Sequence, residues 1–325
     1  METSDISGKA GRVLVTGGAG FIGSHISQAL ATRGYSVGVL DNLATGNMEN
    51  ISAFVDSGKI AFHLGDIRDF DTVARVVRQY DVVVHQAALV SVTRSVEDPR
   101  TTNEINITGT LNVLKAAVDA KVRQFLYASS SSVYGETETL PKREDMASLP
   151  ISPYGASKLG GENYCRAFAR VYGLKTVSLR YFNVYGPRQK YGPYSGVIPI
   201  FMESIQVGKP PTIFGDGSQT RDFTFVSDVV HANVLAIENE LNPGEVLNVA
   251  NGSQTSVTLL AELIARTMGR DDLKPVYADP RKGDIHDSYA DIGRARDLLR
   301  YDPKYSIEKG ISEVVAWFTS PKATA

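Results

Sequence analysis

Short apolar runs alternate with helix-length amphipathic segments through the first half of the chain, and few folds accept that alternation. Arg12–Thr16 (RVLVT), Ser36–Leu40, Ile60–Leu64, Val82–Val84, Gln124–Ala128 and Thr176–Arg180 read as strands. Between them, Phe21–Thr32, Phe70–Gln79, Thr102–Ala120 and Pro153–Tyr172 carry helical spacing. Strands separated by helices of this length form βαβ crossovers, and so a parallel sheet covered on both faces. The expected fold class is α/β, a doubly wound parallel sheet of the Rossmann type.

After Val184 the texture changes. Glycine and proline crowd into 186–196 and 208–217. Helical patterns return at Val197–Val207, Ser227–Glu238 and Thr258–Met268, and the strands shorten (Thr212–Phe214, Val246–Val249). The expected division is a nucleotide-binding domain over 1–184, with a segment near 224–250 returning to it, and a smaller mixed α/β domain over 185–325. The tail after Trp317 is expected to fray.

Composition removes several functions. A net charge of −2 gives no field for nucleic acid or an anionic membrane, so an anionic ligand has to be held by local cations. No apolar run reaches the roughly 18 residues of a membrane span. Met1–Ala10 is polar, with no signal-peptide core, which points to a cytoplasmic protein. The single cysteine, Cys165, reads as a helix-packing residue, and no metal site is expected.

The first strand runs straight into Gly17-Gly18-Ala19-Gly20-Phe21-Ile22-Gly23 and then a helix. Glycines there let the backbone turn tightly and approach a pyrophosphate, while the helix start offers free N–H groups. Asp41-Asn42 ends the next strand about 20 residues on, where an acid accepts from ribose hydroxyls. Its charge repels a 2′-phosphate and no basic residue follows closely, which favours NAD over NADP. Asp66-Ile67 follows the third strand in the same way; contact with adenine and a plain turn stay open. His85-Gln86-Ala87-Ala88 closes the fourth strand with small residues suited to a nearby cofactor. His85 reads as a packing histidine, because no acid or hydroxyl is placed to pair with it.

Tyr154 and Lys158 stand at i and i+4, on one helical face. An ammonium beside a phenol lowers its pKa, and the expectation is a base usable near neutrality. Ser129-Ser130-Ser131-Ser132-Val133-Tyr134-Gly135 closes the preceding strand, where α/β ligands bind.

Together these motifs resemble the extended short-chain dehydrogenase/reductase family over nearly the whole chain. Leu179–Gly186, Arg221-Asp222-Phe223 and Arg281-Lys282-Gly283-Asp284 resemble its nucleotide-sugar epimerases, the UDP-galactose 4-epimerase group and the branch acting on UDP-N-acetylglucosamine. The resemblance implies Ser130 and Tyr154 as proton-transfer residues, with Lys158 in support. It implies NAD contacts at Gly17, Gly20, Phe21, Ile22, Gly23, Asp41, Asn42, Asp66, Ile67, Ala87, Ala88, Tyr154 and Lys158, with Asn106 ordering the backbone. For a UDP-sugar it implies diphosphate contacts at Arg221 and Arg281 and a ribose contact at Asp284. Further substrate contacts fall on Ser131, Ser132, Asn183, Val197 and Ile198, and on Phe214, where stacking and core packing are even. Ser288 falls at a gatekeeper beside the sugar 2-substituent, and its small size leaves room for an N-acetyl group.

Competing readings remain. A 4,6-dehydratase needs an acid pair where Ser131 and Ser132 stand. A UDP-glucuronate 4-epimerase stays open, with Arg94 as a candidate for the carboxylate, while a decarboxylase and a silent dinucleotide binder are weaker. The resemblance also implies a homodimer, with the Thr102–Ala120 and Pro153–Tyr172 helices pairing into a four-helix bundle.

Overall fold

A computed structural model describes residues 11–189, 192, 196–280 and 286–320. Six strands lead the architecture: β1 (Arg12–Thr16), β2 (Ser36–Asp41), β3 (Ile60–Leu64), β4 (Val82–His85), β5 (Gln124–Ser130) and β6 (Lys175–Tyr181). With Glu245–Val249 they form a seven-stranded sheet in the order Glu245–Val249, β6, β5, β4, β1, β2, β3. Every pairing in it is parallel. The expected doubly wound sheet is therefore present, and its order reverses between β1 and β4. At such a reversal the loops leave in opposite directions and open a crevice.

Alternation along the strands builds two cores. Val13 and Val15 face a layer made by Phe21–Thr32 and Val226–Glu238, where Ile26, Leu30 and Val229 are buried. Leu14 faces the other way, into Val73, Val113, Leu114 and Cys165. A two-residue side-chain period makes this split unavoidable. A third core, with Ile198, Phe201, Phe225, Leu260, Ile264 and Ile311, joins the helices Val197–Gln206, Val257–Thr267 and Ile307–Phe318.

The helix expected over Thr102–Ala120 is not uniform. It runs as α over Pro99–Asn103, as a π turn over Glu104–Gly109 and as α again over Thr110–Asp119. Asn106 lies in the π turn, and its buried side chain is bonded away from the helix. Pro153–Tyr172 is a single helix. Ser152 caps it by accepting from the Gly155 amide, and Gly173 ends it at φ 71°. Serine at the N-cap, proline at the first position and glycine beyond the end each satisfy a known terminal requirement.

That helix is locked to the sheet by a buried ion pair. Arg180 of β6 reaches Glu162 at 2.8 and 2.9 Å, and both side chains are almost wholly excluded from solvent. The Ser129 hydroxyl of β5 donates to the same carboxylate. The Arg180 guanidinium lies 4.5 Å above the Tyr134 ring. One partner removed from such a pair leaves the other charged and buried. Arg180→Ala is expected to cost about 3–5 kcal/mol, read as a lowered midpoint in urea unfolding.

Candidate active site

The β1–β4 reversal places the glycine loop against the end of β4. Gly17 has φ 67°, and a Cβ there would stand 2.7 Å from the Ala87 nitrogen. A Cβ on Gly23 would stand 2.2 Å from the Gly17 carbonyl oxygen. Only glycine fits either position. No side chain caps the helix that starts at Phe21, so its first amides are free to donate. This concave, donor-rich start suits a pyrophosphate.

Asp41, at the end of β2, is buried beside this loop. It accepts from the Ala19 amide at 3.0 Å and the Leu43 amide at 2.8 Å. Asn42 donates to Asp66 at 2.9 Å. Asp66 is also held by Arg68, which draws its carboxyl down to about 2. Its side chain thus closes the turn after β3. Ile67 is buried against Gly109. Ala87 and Ala88 are half-buried beyond β4. These features fit a dinucleotide: a cradle that any Cβ would fill, an uncapped helix start and an acid at the next strand end.

On the other side of β4 the proton-transfer candidates converge. Ser130 ends β5 and bonds to Ser132 at 3.1 Å through the hydroxyls. Tyr154 stands in the first turn of its helix, and its amide donates to Ser95. Burial pushes the Tyr154 phenol up to about 12, and a hydrogen bond with Ser130 offsets only part of that. Lys158 donates to the Ala128 carbonyl at 2.9 Å, and burial draws it down to about 8. Sequence alone places Lys158 near the phenol without this burial, which acts in the opposite direction.

Asn106 orders backbone through three bonds. Its Oδ1 accepts from the Leu89 amide at 2.7 Å. Its Nδ2 donates to the Leu89 carbonyl and to Ser157, whose hydroxyl donates to the Tyr154 carbonyl. The π turn widens the helix enough to aim this side chain sideways, and π turns recur at functional sites.

A cavity of about 270 Å³ lies beyond the sheet, lined by Asn183, Val197, Ile198, Phe214, Arg221 and Phe223 among others. The uncapped start of the Val197–Gln206 helix opens onto it. Arg221 donates to the Thr220 and His286 carbonyls. Ser288 pairs with Arg221 in strand register and is buried. Phe214 is half-buried and forms part of the wall. Arg94 is exposed on the short Val92–Glu97 helix. Arg281 and Asp284 lie outside the described residues.

Sequence reasoning did not single out Asp222, which gathers these segments. Its amide donates to the Ser288 carbonyl, and its carbonyl accepts from Asn183. Its buried carboxylate accepts from the Asn251, Gly252 and Ala290 amides. Its position between Arg221 and Phe223 was the available signal. His85 brings a correction: it does have hydroxyl partners. Thr16 lies 2.6 Å from Nδ1 and Thr110 lies 2.9 Å from Nε2.

Among known proteins, the model of the NAD dependent epimerase/dehydratase family matches residues 13–250. A UDP-glucose 4-epimerase of Mycolicibacterium smegmatis is 40% identical over 94% of this chain and 98% of its own. The UDP-N-acetylglucosamine 4-epimerase of Methanobrevibacter ruminantium, solved with UDP-N-acetylmuramic acid, is 40% identical with TM-score 0.91, covering 96% of this chain and 99% of its own. The UDP-glucuronic acid 4-epimerase of Bacillus cereus, solved with UDP-glucuronic acid and NAD, is 34% identical with TM-score 0.87, covering 94% and 98%.

Burial lowers His85 from the ordinary imidazole value to about 3. Between that value and about 6.5, the unfolded chain binds a proton that the folded chain refuses. His85 therefore contributes a loss of stability as pH falls through this window. His85→Gln, which does not titrate, is expected to show a shallower fall between pH 6.5 and pH 4, checked by urea midpoints across that range.

Proposed function

The chain belongs to the NAD dependent epimerase/dehydratase family, and within it we propose a UDP-sugar 4-epimerase that inverts the hydroxyl-bearing C4 of its substrate. The observation that carries this reading is the buried Tyr154, in hydrogen-bonding reach of Ser130, one helical turn from Lys158. A mere dinucleotide binder has no use for that set.

The glycine loop, the free amides after Gly20, Asp41 and Ala87 would hold NAD. When bound, NAD supplies a hydride acceptor for C4 and, oxidised, a positive charge that favours the phenolate. Tyr154 takes the proton of the 4-hydroxyl and later returns it. Ser130 shares that proton through its hydrogen bond to the phenol. Lys158, fixed to the Ala128 carbonyl, keeps a cationic donor beneath the site. Exclusion of water around Tyr154 strengthens each of these interactions. At the far end, Arg221 and the start of the Val197 helix would receive the diphosphate, with Asn183 and Ser288 toward the sugar. Residues 1–184 then serve the cofactor and 185–325 the nucleotide sugar, with the strand Glu245–Val249 shared. Ser131 and Ser132 supply no acid for water elimination, which disfavours dehydration.

For the sugar, we favour UDP-glucose/UDP-galactose together with UDP-N-acetylglucosamine/UDP-N-acetylgalactosamine. Ser288 is small, and two relatives at 40% identity carry those activities in their names. The second reading is a UDP-glucuronate 4-epimerase, supported by the 34% identical Bacillus cereus enzyme. A homodimer through the Pro153–Tyr172 helix is part of the same reading. Tyr164, Val171 and Tyr172 stand exposed on that helix, and a monomer in light scattering at micromolar concentration would count against it.

One assay tests the whole. Each of UDP-glucose, UDP-N-acetylglucosamine and UDP-glucuronate is incubated with the protein, without added cofactor, and the epimers are resolved. Conversion of the first two is expected, and conversion of the glucuronate alone overturns the ranking. Tyr154→Phe is expected to lose about 10²–10⁴-fold in rate while retaining NAD; full turnover in that variant sinks the mechanism. Ser288→Tyr is expected to lose the N-acetylated substrate and keep the unacetylated one.

A further inference from the structure

His85 sits at the end of β4 with 1% of its surface exposed, between two threonines from different elements. Thr16 is the last residue of β1, next to the glycine loop. Thr110 begins the α segment after the π turn. The protons along this line can be placed. The Thr110 hydroxyl donates to the Asn106 carbonyl at 2.6 Å, so toward His85 it accepts, and Nε2 carries the hydrogen. Thr16 accepts from the Ala87 amide at 3.3 Å, which leaves its own proton for Nδ1. A neutral imidazole with Nε2–H satisfies every group, whereas the Nδ1–H form would leave two hydrogens facing each other or one acceptor unmet. Burial without an adjacent carboxylate also keeps the ring neutral.

The line does not stop at Thr110. Asn106, which receives the Thr110 bond, holds Leu89 and Ser157, and Ser157 holds the Tyr154 carbonyl. Hydrogen bonds on either side of Asn106, joined through that residue's own covalent frame, thus link the backbone around Gly17 and Ala87 to the first turn of the Tyr154 helix. We propose that His85 is a positioning residue for catalysis. Fixed as its Nε2–H tautomer, it keeps the cofactor loop and the Tyr154 helix in register across β4. It touches neither reacting group, and nothing in the run reaches the Arg221 cavity. The inference rests on the epimerase reading for its kinetic arm alone.

Two measurements test it. In the intact holoprotein, nitrogen-15 NMR of the histidine rings, with the His85 signals identified by their loss in His85→Gln, should show the His85 imidazole protonated at Nε2, bare at Nδ1, and unchanged from about pH 5 to pH 8. In turnover, His85→Phe keeps the ring and deletes both bonds, and Thr110→Val cuts the line at the next link. Each should lower kcat about tenfold or more, with the KM for the UDP-sugar within twofold. His85→Gln, which can donate and accept, should recover part of the loss. An Nδ1–H tautomer, a titrating His85, unchanged kcat in both variants, or a loss confined to KM overturns the proposal. If the wild type converts no UDP-sugar, the epimerase reading fails, and the tautomer measurement still decides the hydrogen-bond run.

Discussion

In a sheet whose strands all run the same way, every carboxyl end arrives at one edge. The rest of this molecule follows from that constraint. Gly17, Asp41, Asp66, Ala87 and Ser131 each lie just beyond or at the end of a strand, and the sheet alone brings them to a common rim. The reversal of order between β1 and β4 then separates the loops enough for a ligand to enter. Side chains that face the sheet instead, such as Val13, Leu14 and Val83, are spent on the two cores.

Two hydrogen-bond hubs hold the rim in shape, one on each side of the crevice. Around Asn106 and His85, buried neutral groups bond only to one another and to backbone. Around Asp222, the backbone and the buried carboxylate together tie three segments far apart in sequence, at 183, 251–252 and 288–290. Burial pushes the Asp222 carboxyl up to about 6 despite these donors. The first hub faces the cofactor cradle and the second faces the cavity beside Arg221. Precision on both sides comes from satisfied buried polar groups, which tolerate little displacement.

Much of this was legible in the sequence because it is periodic or local. The strands of the sheet, the Phe21–Thr32 and Pro153–Tyr172 helices and the glycine loop follow from side-chain spacing and from glycine's conformational freedom. The fold class followed from them, and the family from the Ser130, Tyr154, Lys158 and Arg221 motifs that resemble it. The π turn was not legible, since the apolar spacing of Thr102–Ala120 suits a straight helix as well. Nor were the partners of His85, because Thr16 and Thr110 meet it only after β1, β4 and the helix are assembled. The burial of Tyr154 was not legible for a related reason. Sequence displays the nearby lysine but not the burial that pushes the phenol up. The short strands around Arg221 and Ser288 pair across long separations that no local pattern announces.

The π turn has one more consequence. A helix advances about 100° per residue, so the wider turn lets the chain carry a residue more than a plain α-helix spanning the same rise. Deleting any single residue within Glu104–Gly109 would let the helix close into regular α geometry. Residues downstream would keep their direction, because the wider turn had already absorbed the extra residue. Val113, Leu114 and Ala117 would stay buried in the second core, while Asn106 would lose its aim at Leu89 and Ser157. The extra residue therefore serves the link to the Tyr154 helix and not the core. A one-residue deletion here would spare the fold and be felt at the Tyr154 helix instead.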